Sequence, residues 1–192
     1  MGAIFQSLGR TVGAGVVLLV LLIVAVGTGA INHAWGAFFM RYLHVASGVM
    51  WIGLLWYFNF VQIPSMPKIP DEQKPAIGKV IAPTALFWFR WAALATVVTG
   101  VLVALMHGYL AQALMLQRPV LAIGIGMWLA LIMAFNVWFI IWPNQKKALG
   151  MVTVTPEEKA KAARLAMLTS RANTMLSIPM LFCMVAQQNG GL

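Results

Sequence analysis

The chain is a succession of long apolar stretches separated by short polar segments. Five stretches are long enough to cross the ~30 Å hydrocarbon core of a bilayer, which takes roughly 20 helical residues. They lack the alternation of apolar and polar positions that an outer-membrane β-barrel needs. The pattern predicts an all-α, polytopic membrane protein with five transmembrane helices, in which an N-terminal helix precedes a four-helix core bundle. The predicted spans are approximately residues 11–31, 37–63, 85–110, 119–142 and 165–186.

The first stretch has a second interpretation. Arg10, an apolar run and the small residues Thr28, Gly29 and Ala30 also suit a cleavable signal peptide. We expect a retained helix, and we expect residues 1–192 to form a single integral membrane domain. The predicted orientation of the other four spans is the same under either interpretation.

Composition and charge agree with a membrane protein. Hydrophobic residues make up 61% of the chain and charged residues 9%, which leaves too little polar surface for a water-soluble domain. The net charge of +9 does not indicate nucleic acid, because the basic residues cluster in alternate loops. The positive-inside rule then predicts a cytoplasmic N-terminus and an external C-terminus, in a multi-pass protein of the bacterial inner membrane that contacts lipid. The basic residues of the second and fourth loops are Lys68, Lys74, Lys79, Lys146, Lys147, Lys159, Lys161 and Arg164.

Cysteine and carboxylate usage excludes several classes of protein. The single cysteine, Cys183, rules out an internal disulfide, a Cys-x-x-Cys metal site and a covalently attached c-type heme. The acidic residues all lie in predicted loops, so no carboxylate within the membrane can relay protons or bind a hard cation. A pump or a sodium-coupled carrier is therefore disfavoured. The acidic residues are Asp71, Glu72, Glu157 and Glu158.

Two histidines fall inside predicted spans, near the same face of the membrane. An imidazole in hydrocarbon is costly and is usually kept for a proton, a metal or a heme. Gly48 lies four residues from His44, and Gly100 lies seven from His107, so each imidazole has flat space on its own helix face. Flat space beside a neutral imidazole suits heme b. The pattern predicts His44 and His107 as ligands of the heme iron, with Arg41, one turn from His44, near a propionate.

A structural interpretation of the same residues stays open. Gly100, Ala104 and Gly108 form a stripe of small residues that would also serve close helix packing. His107 lies near a predicted helix end, where it could simply hydrogen-bond a neighbour. His33, in a short predicted loop, is expected to be solvated or interfacial.

A second polar group is predicted near the cytoplasmic side. Arginine and asparagine side chains at that depth must find partners. Together they could bind an anionic or carbonyl-rich small molecule, such as a purine or a quinone head. The alternative is that the arginines extend to lipid headgroups while the asparagines join helices. The residues are Asn59, Arg90, Asn136, Arg171 and Asn173.

Four segments of the chain resemble the membrane domain of the PuuD-type urate oxidase (urate hydroxylase) family. One holds Leu43 and His44, followed after six residues by Trp51-Ile52-Gly53. This histidine pattern and the helix order are also similar, more distantly, to the HemJ-type protoporphyrinogen oxidases and the CopD-like membrane proteins. The four segments are residues 41–53, 88–96, 135–146 and 170–180.

The resemblance implies a membrane redox protein, and thus a possible oxidoreductase. His44 matches the motif histidine that is a candidate heme b ligand in the HemJ-type proteins, whereas their lysine in a later helix has no counterpart here. In the urate oxidase family a c-type cytochrome takes the electrons. The matching polar positions are Arg90, Asn136, Asn144, Arg171 and Asn173.

We therefore expect a membrane-bound heme b protein that passes electrons from a small substrate or quinol to a separate c-type cytochrome or other acceptor. The alternative is a non-catalytic subunit of a larger respiratory or photosynthetic membrane complex.

Overall fold

The regular elements of the described chain are helical, as the sequence predicts. The structure is a computed structural model that describes residues 2–27, 29 and 31–190, so Thr28 and Ala30 of the possible signal-peptide site lie outside the described residues. The chain separates into two compact units, divided after Gly36. Whether both belong to a single membrane domain stays a prediction. The helices are α1 (Gly2–Phe5), α2 (Leu8–Val26), α3 (His33–Trp56), α4 (Ile63–Ser65), α5 (Lys74–Ala76), α6 (Ala82–Met106), α7 (Leu110–Leu114), α8 (Leu121–Phe135), α9 (Trp142–Ala148) and α10 (Pro156–Asn189).

Four helical stretches of the described chain are long and apolar enough to cross a membrane, which indicates a membrane protein. They correspond to the first four predicted spans. The fifth predicted span lies inside α10, the 34-residue last helix, but does not reach the same hydropathy. Its centre carries Ser170, Arg171 and Asn173, which lower the average. The four stretches are Leu8–Val26, His33–Lys68, Lys74–Met106 and Leu121–Ala148.

Three of the helical stretches contain a π-helical turn shortly before a proline. Pro64, Pro83 and Pro143 each follow the end of a π turn by two residues. Proline has no N–H and its ring clashes with the carbonyl four residues earlier, so the turn before it cannot close with regular α-helical bonds. The wider π turn accommodates this loss. The π turns are Tyr57–Gln62, Ile77–Ile81 and Asn136–Ile141.

The core of the second unit is formed mainly by buried side chains of α3, α6 and the π turns Tyr57–Gln62 and Asn136–Ile141, with Met133 of α8 and Met180 of α10. Helices α8 and α10 also approach each other closely. A Cβ placed on Gly126 would lie 3.1 Å from Cys183 Cβ and 3.5 Å from the carbonyl oxygen of Met180, so only glycine allows this approach without a shift. Phe58 and Phe89 meet edge to face in the same core, with ring centroids 5.8 Å apart. In a bilayer, such close packing replaces the hydrophobic effect as the force that joins helices.

A capping box stabilises the start of α10. The Thr155 hydroxyl accepts a hydrogen bond from the backbone N–H of Glu158 at 3.2 Å, and the Glu158 carboxylate accepts one from the N–H of Thr155 at 3.3 Å. Pro156 occupies the first helical position. This capping box satisfies N–H groups at the helix start.

The end of α6 corrects the sequence prediction. The third span was expected to continue to residue 110, with His107 inside it, but α6 ends at Met106 and His107 is its C-cap. Gly108 follows with φ +73°, the left-handed conformation that glycine adopts at helix ends. His107 is therefore part of a turn between α6 and α7.

Helix α2 belongs to the first unit and buries none of its residues. Its residues are apolar on every face, with a basic Arg10 near the start. A helix of this kind is suited to a lipid environment rather than to water.

Candidate functional site

The imidazole of His44 is held by the backbone of α6. Its Nδ1 lies 2.9 Å from the carbonyl oxygen of Thr96 and 3.4 Å from the hydroxyl oxygen of Thr99. A carbonyl oxygen only accepts, so the proton of the shorter hydrogen bond belongs to Nδ1. In the neutral ring, Nε2 then carries the lone pair. This is the tautomer that binds metals through Nε2 while a backbone carbonyl fixes the ring.

Gly100 leaves the space that the His44 ring occupies. A Cβ at position 100 would lie 2.8 Å from Cε1 and 3.1 Å from Nδ1 of His44, closer than real Cβ contacts allow. At Gly48, a Cβ would make only an ordinary 3.8 Å contact with Thr96. Glycine at 100 is therefore a requirement of the imidazole position, and the sequence pairing of Gly100 with His107 is replaced by a contact with His44.

A cavity of about 750 Å³ lies beside His44, between α3, α6, α8 and α10; we call it the His44 cavity. Its wall consists mostly of aliphatic, aromatic and methionine side chains, and its volume lies in the range of about 300–1,000 Å³ that is usual for small-molecule and cofactor sites. Polar side chains collect at the end nearest the α6–α7 turn. They are Arg41, Tyr109, Gln188 and Asn189.

His107 is engaged by a different set of partners. Arg41 Nη2 lies 2.8 Å from His107 Nε2, and the guanidinium can only donate, so Nε2 is the acceptor. His107 Nδ1 therefore carries the proton and donates to the carbonyl oxygen of Val103 at 2.8 Å. Both ring nitrogens are occupied in this arrangement. The assignment of His107 as a second iron ligand stays a prediction, and it would require Arg41 to release Nε2.

Tyr109 lies beside this pair, and its ring centroid is 6.1 Å from that of His107. Burial raises the pKa of its phenol above the usual value, and the positive charge of Arg41 opposes part of that rise. The phenol therefore stays protonated near neutral pH and can donate a hydrogen bond at this end of the cavity.

The residues around the His44 cavity fit a heme b group. A neutral imidazole with a bonded Nδ1–H has Nε2 as its metal-binding atom, the glycine at position 100 leaves room for the ring, and most of the wall is apolar. His44 would hold the iron, and the cationic end of the cavity would face the carboxylates of the porphyrin.

The predicted inner polar group divides into separate helix-to-helix contacts. Asn136 Nδ2 donates to Asn173 Oδ1 at 2.8 Å, and Asn173 Nδ2 donates to the carbonyl oxygen of Met133 at 2.9 Å. Asn173 is fully buried. Asn59 Nδ2 likewise donates to Ser170 Oγ at 2.8 Å. These bonds join α10 to neighbouring segments, so the structural alternative accounts for the asparagine contacts.

Arg90 packs against tryptophans rather than against the asparagines. Its guanidinium carbon lies 3.5 Å from the Trp142 ring centroid and 5.8 Å from that of Trp138. Arg90 Nε and Nη1 and Trp138 Nε1 are buried without a hydrogen-bond acceptor among the described residues. Cation–π contact stabilises the guanidinium, and the remaining N–H groups are free to receive a polar ligand or water.

The remaining predicted residues lie apart from these groups. Arg171 is on the exposed face of α10, two residues from buried Asn173, so the structure does not bring the two into one site. Asn144 donates to the carbonyl of Ile140 in its own helix. His33 begins α3 and is exposed.

The sequence did not identify Thr96 or Tyr109 as part of the site. Thr96 contributes through its backbone carbonyl, which any residue could supply, so its side-chain type carries no signal. Tyr109 is two residues from His107, and only the turn at Gly108 brings both to the cavity end. Because the sequence predicted a helix through residue 110, it did not place His107 and Tyr109 together at the end of a cavity.

The fold and this site define an α-helical membrane protein with an imidazole-bearing apolar cavity inside its helical bundle. Residues 118–190 match the sequence model of the family described as Urate oxidase N-terminal. This confirms the urate oxidase resemblance over α8, α9 and α10. The resemblance of the segments around His44 and Arg90, and the similarity to HemJ-type and CopD-like proteins, stay predictions. No curated protein and no solved structure matches the chain.

Proposed function

We propose that the protein is a membrane-embedded heme b redox protein in which His44 Nε2 is an axial ligand of the iron. The observation that carries the proposal is the fixed His44 tautomer, with Nδ1–H bonded to the Thr96 carbonyl and Nε2 left to bind a metal at the wall of a cavity of about 750 Å³. When bound, the heme supplies reversible one-electron transfer.

The residues of the chain have three tasks in this function. The Thr96 carbonyl orients the His44 ring and increases the electron density on Nε2. Gly100 leaves room for the ring, and the apolar wall excludes water, which favours binding of a large apolar macrocycle. The cluster of Arg41 and Tyr109 provides polar groups at one end of the cavity.

The redox partners follow from the proposed topology. With the N-terminus in the cytoplasm, the C-terminus outside and five helices crossing the bacterial inner membrane, the His44 cavity lies toward the external face. Electrons would pass from a small substrate or quinol to a c-type cytochrome or another acceptor on that side. Arg90 and its unbonded N–H groups are the remaining candidate contact for a substrate near the cytoplasmic side. Asn136, Asn173 and Arg171 would act there only after a rearrangement.

A second candidate function is that of a non-catalytic subunit in a larger respiratory or photosynthetic complex. The observation in its favour is α2, whose apolar residues are all unburied and offer a surface to a neighbouring subunit as well as to lipid.

Absorption spectroscopy separates the two functions. Protein purified from heme-replete cells should show b-type bands in reduced-minus-oxidised spectra, with heme in stoichiometric amount. His44→Ala should lose the bands, whereas His33→Ala, which removes an exposed histidine, should keep them. A colourless wild-type protein would contradict the heme proposal and favour the subunit.

A further inference from the structure

Arg41 is a cation that has no acidic side-chain partner among the described residues. It lies on α3 at the polar end of the His44 cavity. The acidic residues of the chain lie elsewhere, at positions 71 and 72 in the segment between α4 and α5 and at 157 and 158 in the first turn of α10. The neutral His107 ring is the partner that holds the guanidinium, so the positive charge at this end of the cavity is not balanced by a protein carboxylate.

The hydrogen bonds of Arg41 leave donors for a ligand. Nη2 donates to His107 at 2.8 Å. Nε is buried, yet has no acceptor among the described residues. A buried guanidinium N–H without an acceptor is costly unless a ligand or water completes it. The planar fork of an arginine matches the two oxygens of a carboxylate, with which it forms bidentate hydrogen bonds.

His107 fixes where those donors point. Its Nδ1–H is bonded to the Val103 carbonyl in the last turn of α6, so the ring cannot rotate freely. Its Nε2 then accepts from one Arg41 nitrogen and holds the guanidinium at the end of the cavity. Tyr109, two residues further on, lines the same end and adds a hydroxyl donor.

We propose that this end of the His44 cavity is a carboxylate-binding site made by Arg41 and Tyr109, and that His107 is a positioning residue for Arg41 rather than an iron ligand. The inference rests on the proposed function in one respect, since the carboxylates in question are those of the porphyrin. Free organic acids share the chemistry, and the experiment separates them from the porphyrin.

The experiment compares two iron porphyrins on the full-length protein made in heme-deficient cells. One is iron protoporphyrin IX, and the other is its dimethyl ester, which has no carboxylate but the same macrocycle. Wild-type protein should bind the free acid roughly 10- to 100-fold more tightly, as expected when one charge-assisted contact is lost. Arg41→Leu should remove the preference while keeping histidine-ligated spectra, and Tyr109→Phe should reduce it.

His107 is tested with a matched pair of variants. His107→Gln retains an oxygen acceptor for the guanidinium and should retain most of the preference, whereas His107→Leu should lose it. Neither should alter the axial-ligand spectrum. Helical circular dichroism of each variant establishes that the bundle is intact.

Each other result contradicts a defined part of the proposal. Equal binding of the two porphyrins by wild-type protein would overturn the carboxylate site and leave the heme function standing. A spectrum that changes equally in both His107 variants would make His107 an iron ligand. Failure of both porphyrins to bind would overturn the heme function together with this inference. Loss of the preference on adding acetate, with the ester unaffected, would assign the site to free organic acids.

Discussion

At the scale of single residues, the site depends on one close approach between α3 and α6. The His44 ring occupies the space that a side chain at position 100 would need, and the same contact allows Nδ1 to reach the Thr96 carbonyl. Orientation, tautomer and metal-binding capacity of the imidazole are therefore coupled to a glycine on another helix.

Gly100→Ala tests this coupling. The added methyl group would lie 2.8 Å from Cε1 of His44, so the ring or the helix must shift. We expect the shift to weaken the hydrogen bond between Nδ1 and the Thr96 carbonyl. We predict that heme affinity falls roughly 10- to 100-fold, the usual cost of losing a group that orients a metal ligand. Heme titration monitored by absorbance measures it. Gly15→Ala is the control, because no atom lies within 4 Å of its added Cβ and the residue belongs to α2, which does not line the His44 cavity; an equal loss of affinity there would contradict the coupling.

The residue scale also shows what the sequence could and could not predict. His44, Arg41 and the polar asparagines were found because polar side chains in apolar spans are rare. Arg171 and Asn173 were grouped, although residues two apart lie on opposite helix faces, and the structure separates them. The His44–Thr96 bond could not be predicted, since it depends on which helices pack together and uses a backbone atom.

At the scale of helices, α8 and α10 are joined by a small residue and by amide hydrogen bonds. Gly126 permits close contact, and Asn173 donates to the Met133 carbonyl while accepting from Asn136. Polar bonds between helices in a membrane contribute modestly, but a buried amide that loses its partner remains costly.

Asn173→Ala should destabilise the bundle. It removes both hydrogen bonds of a fully buried side chain and leaves the Asn136 amide without its acceptor, at a cost of about 1–2 kcal/mol in the free energy of unfolding. Reversible unfolding in mixed detergent micelles measures it. Asn144→Ala removes only a bond within one helix and should be close to neutral. An equal loss of unfolding free energy in the two variants would show that hydrogen bonds between helices stabilise the bundle no more than a bond within one helix.

The π turns were only partly predictable from the sequence. The prolines that follow them are visible in the sequence. Whether a helix breaks, kinks or widens depends on the packing around it, and here it widens at Tyr57–Gln62, Ile77–Ile81 and Asn136–Ile141. The end of α6 could not be predicted for a similar reason. The sequence shows Gly108, but it does not show that this glycine adopts a left-handed conformation.

At the scale of the whole molecule, apolar length alone predicted a helical membrane protein and the four helical stretches that are long and apolar enough to cross a membrane. The number of predicted membrane crossings depends on α10, whose centre has Ser170 and Asn173 buried and Arg171 exposed. The proposed orientation follows from the basic loops.

Labelling with a membrane-impermeant maleimide tests that orientation. The only cysteine is buried, so Cys183→Ala gives a background free of thiols. In intact cells we predict that Gln117→Cys is labelled and Lys159→Cys is not, because the basic loops are retained in the cytoplasm. Both residues are exposed. After lysis both should react, and labelling of Lys159→Cys in intact cells would invert the topology.

Rescue of a His44→Gly variant by free imidazole directly tests whether the His44 side chain binds the heme iron. His44→Gly removes the side chain and leaves space for a free imidazole between the Thr96 carbonyl and the cavity. The variant should lack the b-type spectrum of the wild-type protein, and added imidazole should restore it, whereas added benzene should not. A His44→Gly protein that keeps the wild-type heme spectrum without imidazole would show that His44 does not bind the iron.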